Sequence, residues 1–218
     1  MDREKQLEKI AEYSHARMTT DRTGHGFDHI RRVVGMARKL SAKENADLLV
    51  TLAAAYLHDV IDDKLVADPH AALNHLQEYL SEIEIPAKQR QEILFIIQNM
   101  SFAHTLDGKT SELPLEGKIV QDADWLDAIG AIGITRAIYF GGHHAEKIYD
   151  PRIKPRTSMT KEEYRNLNNE TIINHFYEKL LKIKDRLNTP SARRIAENRQ
   201  QAMLNFLSEF KAEWNASK

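Results

Sequence analysis

Leu57-His58-Asp59-Val60-Ile61-Asp62-Asp63 closes the most apolar run of the chain, residues 46–61. Within that run Leu48, Leu49, Val50, Leu52, Ala53, Ala54, Ala55, Tyr56 and Leu57 follow one another with few polar breaks. The run is too long for an ordinary strand and rich in Ala and Leu, so it predicts a helix. A helix that is apolar nearly all round is a buried one. This one ends in a histidine and three aspartates. Helix C-termini carry partial negative charge and disfavour acids, and an unpaired buried carboxylate costs more still. His58 lies four residues from Asp62, and Asp59 lies three and four from Asp62 and Asp63, so these side chains share one end of the rod. A bound cation would supply the charge the acids lack. The plainer alternative is a solvated acidic turn after a core helix, and the surroundings must decide between them.

Outward from that rod the chain reads as helix after helix. Residues 2–18 form a first one, with Leu7, Ile10 and Ala11 on one side. A polar, glycine-containing loop at 19–27 leads to Asp28, a candidate N-cap. Ile30, Val33, Val34, Ala37 and Leu40 then keep helical spacing, which places His29 in the first turn. Asp68-Pro69 opens a fourth helix to about residue 82 and Pro86 a fifth. A loop at 101–114 precedes a sixth at 115–128, and Gly130 and Gly133 loosen the start of a seventh. Residues 141–159 are the longest irregular segment. Thr160 and Glu163 form a capping box for a long helix to about 187, and Thr189-Pro190-Ser191 restarts the last, to about 214. The expected class is all-α, a single bundle of about eight or nine helices over 1–218. Its C-terminal helices, 160–214, would pack on a metal-binding core at about 20–130.

Composition narrows the chemistry. A chain of 218 residues, 42% hydrophobic and 29% charged, can bury a core and is not disordered. A formal net charge of −1 gives no global attraction to nucleic acid or an anionic membrane. Without cysteine, disulfides and thiolate sites are excluded, and His and carboxylate remain as ligands. The start of the chain is charged with no signal-like run, and residues 46–61 are too few to cross a bilayer. The expectation is a cytoplasmic protein.

Three stations place a metal-compatible group within largely apolar helix: His29, His58-Asp59, and Asp124 inside Gln121-Asp122-Ala123-Asp124-Trp125-Leu126-Asp127. Taken alone, Asp124 reads as a solvated acid beside Asp122 and Asp127. The order His, His-Asp, Asp on successive helices resembles the HD-domain metal-dependent phosphohydrolases. The contexts Gly24-His25-Gly26-Phe27-Asp28-His29, Leu57-His58-Asp59 and Ala123-Asp124-Trp125-Leu126-Asp127 are similar too, over roughly residues 20–130. The whole chain looks like the small bacterial branch that includes nucleotide pyrophosphohydrolases.

The resemblance implies one divalent ion held by His29, His58, Asp59 and Asp124. Two imidazoles and two carboxylates suit Mn²⁺ foremost, with Mg²⁺, Fe²⁺, Co²⁺, Ni²⁺ or Zn²⁺ as alternatives. It also implies hydrolysis of a nucleotide by an activated water, such as nucleoside triphosphate to monophosphate and pyrophosphate. An acid pair at this spacing resembles the hydrolase domain of guanosine tetraphosphate synthetase-hydrolases. There Asp62 would orient or deprotonate the water and Asp63 assist; a cap or a salt bridge to Lys64 is the alternative for Asp63. His25 is a candidate to protonate a leaving group, or else a packed turn residue. Arg22, Lys64, Arg136, Lys147, Arg152, Lys154 and Arg156 are candidate phosphate contacts or, individually, solvated charges. The basic segment 147–156 is a candidate lid. An alarmone or other phosphoester hydrolase, and a non-catalytic nucleotide-binding module, are the competing functions. The expected partner is a small nucleotide, with neither nucleic acid nor membrane, and a homo-oligomer is compatible with this.

Overall fold

A computed structural model describes residues 1–18, 26–61, 66, 68–101, 111–157 and 170–217. Among them the regular structure is helical, apart from an isolated parallel bridge between Lys147 and Thr171. The all-α expectation holds. The chain divides into two compact units, Met1–Asp124 and Trp125–Lys218.

In the first unit α1 (Arg3–Met18), α2 (Phe27–Glu44) and α5 (Ala87–Asn99) surround α3 (Leu48–Leu57), while α4 (Pro69–Glu82) packs on α5. Asp47 starts α3 by accepting hydrogen bonds from the backbone N–H groups of Leu49 and Val50. From Leu49 to Leu57 every side chain but Tyr56 is buried. The expected rod is shorter than its apolar run, because helix gives way to a turn at residues 58–61. His58 still keeps helical backbone angles, φ −61° and ψ −31°, and Asp59 follows it in the turn.

Two local readings change. Asp28 does not cap α2; Gly26 occupies that position, its carbonyl accepting from the His29 and Ile30 N–H groups. Asp28 sits exposed in the first turn and pairs with Arg32 at 2.7 Å. The inward face of α1 is Gln6, Ile10, Ser14 and Met18 rather than an apolar Leu7–Ile10–Ala11 side. Its polar members are satisfied across the core. Gln6 Nε2 donates to the Ile83 and Glu84 carbonyls, and Ser14 Oγ to that of Tyr56.

α6 (Leu115–Asp127) buries Ile119, Val120, Ala123 and Leu126 completely. In the second unit α7 (Gly130–His143) contacts α8 (Ile172–Glu178) and α10 (Pro190–Trp214), with α9 (Ile183–Arg186) against α10. The long helix expected to run to residue 187 is instead α8, a 3-10 turn at Leu180–Lys182 and α9. Thr171 caps α8 through its side chain, and the Ile172 and Ile173 N–H groups reach back to the Lys147 and Ile148 carbonyls. These bonds hold the chain extended where a continuous helix would have to pass. Residues 160 and 163, the expected capping box, lie outside the described residues.

Gly133 is buried in α7, and a Cβ there would lie 2.3 Å from the Ala128 carbonyl oxygen. Glycine to alanine within a helix ordinarily stabilises by about 1 kcal/mol. Here the clash is with backbone, so Gly133→Ala is expected to destabilise by about 1–3 kcal/mol. Thermal denaturation should read this as a lowered midpoint; a raised one would contradict the close approach.

Candidate metal centre

His29 is the third residue of α2, and its side chain is 1% exposed, on the face that also buries Ile30, Val33 and Ala37. His58 follows the last residue of α3 and Asp59 comes next; their side chains are 3% and 12% exposed. Asp124 lies one turn beyond Val120 on α6, with a side chain 27% exposed. The fold brings these side chains, drawn from three helices, to one point within the first unit.

His29 Nε2 is 3.3 Å from His58 Nε2. Asp124 Oδ1 is 3.4 Å from His29 Nε2 and 3.9 Å from His58 Nε2. Asp59 approaches His29 at 3.7 Å and His58 at 3.4 Å, through different oxygens. Ligand atoms of His29, His58 and Asp59 all lie within 4.8 Å of one another. Two donors each about 2.1 Å from a common ion stand roughly 3.0–3.4 Å apart at octahedral or tetrahedral angles. The observed separations lie at or just beyond that range.

The tautomers agree with this. His58 Nδ1 is 2.9 Å from the Ala55 carbonyl, which can only accept, so Nδ1 carries the proton. In the neutral ring Nε2 then presents a lone pair toward His29, as a metal ligand must. Two imidazole nitrogens facing each other beside two carboxylates form a donor set that a divalent cation fits. In the metal-free protein burial pushes the Asp124 carboxyl up, but a hydrogen bond from His29 and the positive charge that His58 and His29 carry when protonated outweigh it, so the group is held below its ordinary value.

Asp122 and Asp127 do not form a solvated face with Asp124. Asp122 is fully buried, and Asp127, 4% exposed, receives Arg136 Nη1 at 3.1 Å. Other candidate cations also have local partners. Asp150 accepts from Lys147 at 3.5 Å and from Arg152 at 2.8 and 3.0 Å, and these bonds hold its carboxyl far below the usual range. Lys154 is exposed. Arg156 donates to Glu178 and Glu170. Arg22, His25, Asp62, Asp63 and Lys64 lie outside the described residues.

One feature on the Asp59 side escaped the sequence reading. A cavity of about 290 Å³ is lined by Asp59 together with Tyr13, Arg17, Ala72 and His75. Its walls come from α1 and α4, which no spacing rule connects to a His-Asp pair. Among the described residues no helix is long and apolar enough to cross a membrane.

Comparison with known proteins adds to this geometry. The pattern that defines the HD domain matches residues 26–129, which include all of the side chains brought together above. A Lactobacillus plantarum protein of solved structure is 48% identical, with a TM-score of 0.88 covering 99% of this chain and 100% of its own. Bacillus subtilis YpgQ is 35% identical over 207 residues, 94% of this chain and 92% of YpgQ. The crystal structure of YpgQ in complex with ADP has a TM-score of 0.79 at 32% identity, covering 98% of this chain and 97% of the other. An HD-superfamily hydrolase from Bacillus thuringiensis is 37% identical, with a TM-score of 0.78 over 99% of this chain and all of its own.

Proposed function

Because the chain belongs to the HD-domain superfamily of hydrolases, we propose that it is a divalent-metal-dependent phosphohydrolase of nucleotides. The reaction is cleavage of a nucleoside triphosphate to monophosphate and pyrophosphate. The observation that carries the reading is the pair of buried imidazoles with Nε2 atoms 3.3 Å apart and two carboxylates beside them. Such a set has no economical purpose in a hydrophobic core, since buried charges demand partners. ADP in the YpgQ complex supports a nucleotide as ligand.

His29, His58, Asp59 and Asp124 would hold the ion, with Mn²⁺ the first choice for a mixed nitrogen and oxygen set. When bound, the ion supplies positive charge toward phosphate oxygens and lowers the pKa of water. The Ala55 carbonyl fixes the His58 ring so that Nε2 stays available. Asp62 takes the proton from the attacking water, Asp63 assists, and His25 donates to the leaving group. Arg22 and Lys64 neutralise phosphate charge.

The test is release of pyrophosphate and orthophosphate from a panel of nucleotides with Mn²⁺, then with excess chelator. Pyrophosphate release should fall at least about 100-fold with chelator, in line with charge neutralisation worth several kcal/mol. Turnover indifferent to chelator would refute the reading, and orthophosphate as the sole product would remove the pyrophosphohydrolase assignment.

A further inference from the structure

Helix α6 ends at Asp127, so Asp124 stands in its last turn. The last carbonyls of a helix have no intrahelical partners, and helix ends fray. A metal ligand placed there needs outside support, because a site works only when its ligands are held to within about 0.5 Å. The Trp125 and Leu126 carbonyls accept from the Ala128 and Ile129 N–H groups, each at 3.2 Å. The Leu126 carbonyl also receives Arg199 Nη1, a side chain of α10.

The same turn carries Asp127, a buried acid at a helix C-terminus, where the macrodipole disfavours it. Arg136 Nη1 donates to its carboxylate from α7 at 3.1 Å. Arg199 stands in its field as well: burial lowers the Arg199 guanidinium, and Asp127 opposes that. Gly130 makes room for this arrangement. Its φ is +78°, and a Cβ there would lie 2.9 Å from Arg199 Cγ and 3.3 Å from Arg199 Cα. The backbone of α10 can lie against the turn after α6 because residue 130 has no side chain.

We propose that Arg199, with Asp127 and Arg136, is a positioning residue for the metal centre: the three brace the last turn of α6 and so fix where the Asp124 carboxylate meets His29 and His58. The proposal rests on the reading of His29, His58, Asp59 and Asp124 as ligands of a divalent ion. The brace acts through the backbone of α6 and not on the ion itself.

The experiment is Mn²⁺ calorimetry on the full chain, with circular dichroism and thermal denaturation of each preparation. Arg199→Met and Asp127→Asn should each weaken Mn²⁺ about 10-fold, the lower end of what partners behind a metal ligand contribute. Combined, they should cost roughly the same 10-fold rather than about 100-fold, since residues that act as one unit are not additive. Thr189→Ala removes the N-cap of α10, the helix that carries Arg199, and leaves the α6 end untouched. It should lower the denaturation midpoint and keep Mn²⁺ within about twofold. Parental Mn²⁺ affinity in a folded Arg199→Met or Asp127→Asn protein overturns the proposal and leaves the metal reading standing. An equal loss in Thr189→Ala also overturns it, because general loosening would then explain the effect. If Arg199→Met does not fold, Asp127→Asn, which keeps the shape of the side chain, decides. A parent that binds no Mn²⁺ removes the phosphohydrolase reading and this proposal with it.

Discussion

His58→Ala should abolish metal-dependent nucleotide hydrolysis and weaken Mn²⁺ by more than about 100-fold. Losing a partner that merely orients a ligand typically costs 10–100-fold in affinity, and losing the ligand itself costs more. His58 is also the side chain most closely specified by its surroundings. Its Nδ1 proton goes to Ala55, and its Nε2 faces His29 at 3.3 Å and Asp59 at 3.4 Å. The apo fold should survive, because the substitution removes one of two imidazole nitrogens held face to face. Far-UV circular dichroism and Mn²⁺ calorimetry on the same preparation separate the two effects. A folded His58→Ala protein that keeps parental Mn²⁺ affinity would show that the cluster is not the metal site.

Arg156→Met should destabilise the protein by roughly 2–4 kcal/mol at neutral pH. Removing one partner of a fully buried ion pair costs about 3–5 kcal/mol, and the figure is reduced because the Arg156 side chain is 23% exposed. What remains behind is severe: Glu178 and Glu170 have side chains 1% and 4% exposed. In the parent, burial raises the Glu170 carboxyl, but His175 and Arg156 outweigh it and the group sits below its ordinary value. Stability from such a depression is present above the unfolded carboxylate range and is lost as pH falls through the folded one. The variant loses that bonus and leaves burial less opposed, so protonation relieves it. The stability gap between parent and variant should therefore narrow as pH drops from 7 toward 4. Urea titrations at several pH values measure it, and a gap that widens in acid would overturn the argument.

Much of the architecture was legible because local rules agreed with the fold. Asp68-Pro69 and Thr189-Pro190 begin α4 and α10 with the side-chain caps their order predicts, Asp68 accepting from Ala71 and Thr189 from Ala192. The Ile93, Leu94, Ile96 and Ile97 face of α5 is buried as its spacing requires. The misses share one cause. Gln6 and Ser14 are buried because carbonyls distant in sequence accept from them, and α8 starts at Ile172 because Lys147 and Ile148 pair with the chain there. Arg156 looked like a free cation until the buried carboxylates of Glu170 and Glu178 were beside it.

By itself the order of residues determined the helical class and the apolar rod of α3, which follow from a periodicity that acts over a few residues. The set His29, His58, Asp59 and Asp124 was singled out by resemblance to a known family, since Asp124 alone reads as a solvated acid. Only the tertiary structure decided that Asp124 Oδ1 lies 3.4 Å and His58 Nε2 3.3 Å from His29 Nε2. It also decided that α1 and α4 wall a cavity against Asp59. Each of these depends on how helices remote in sequence pack together, and no local rule carries that information.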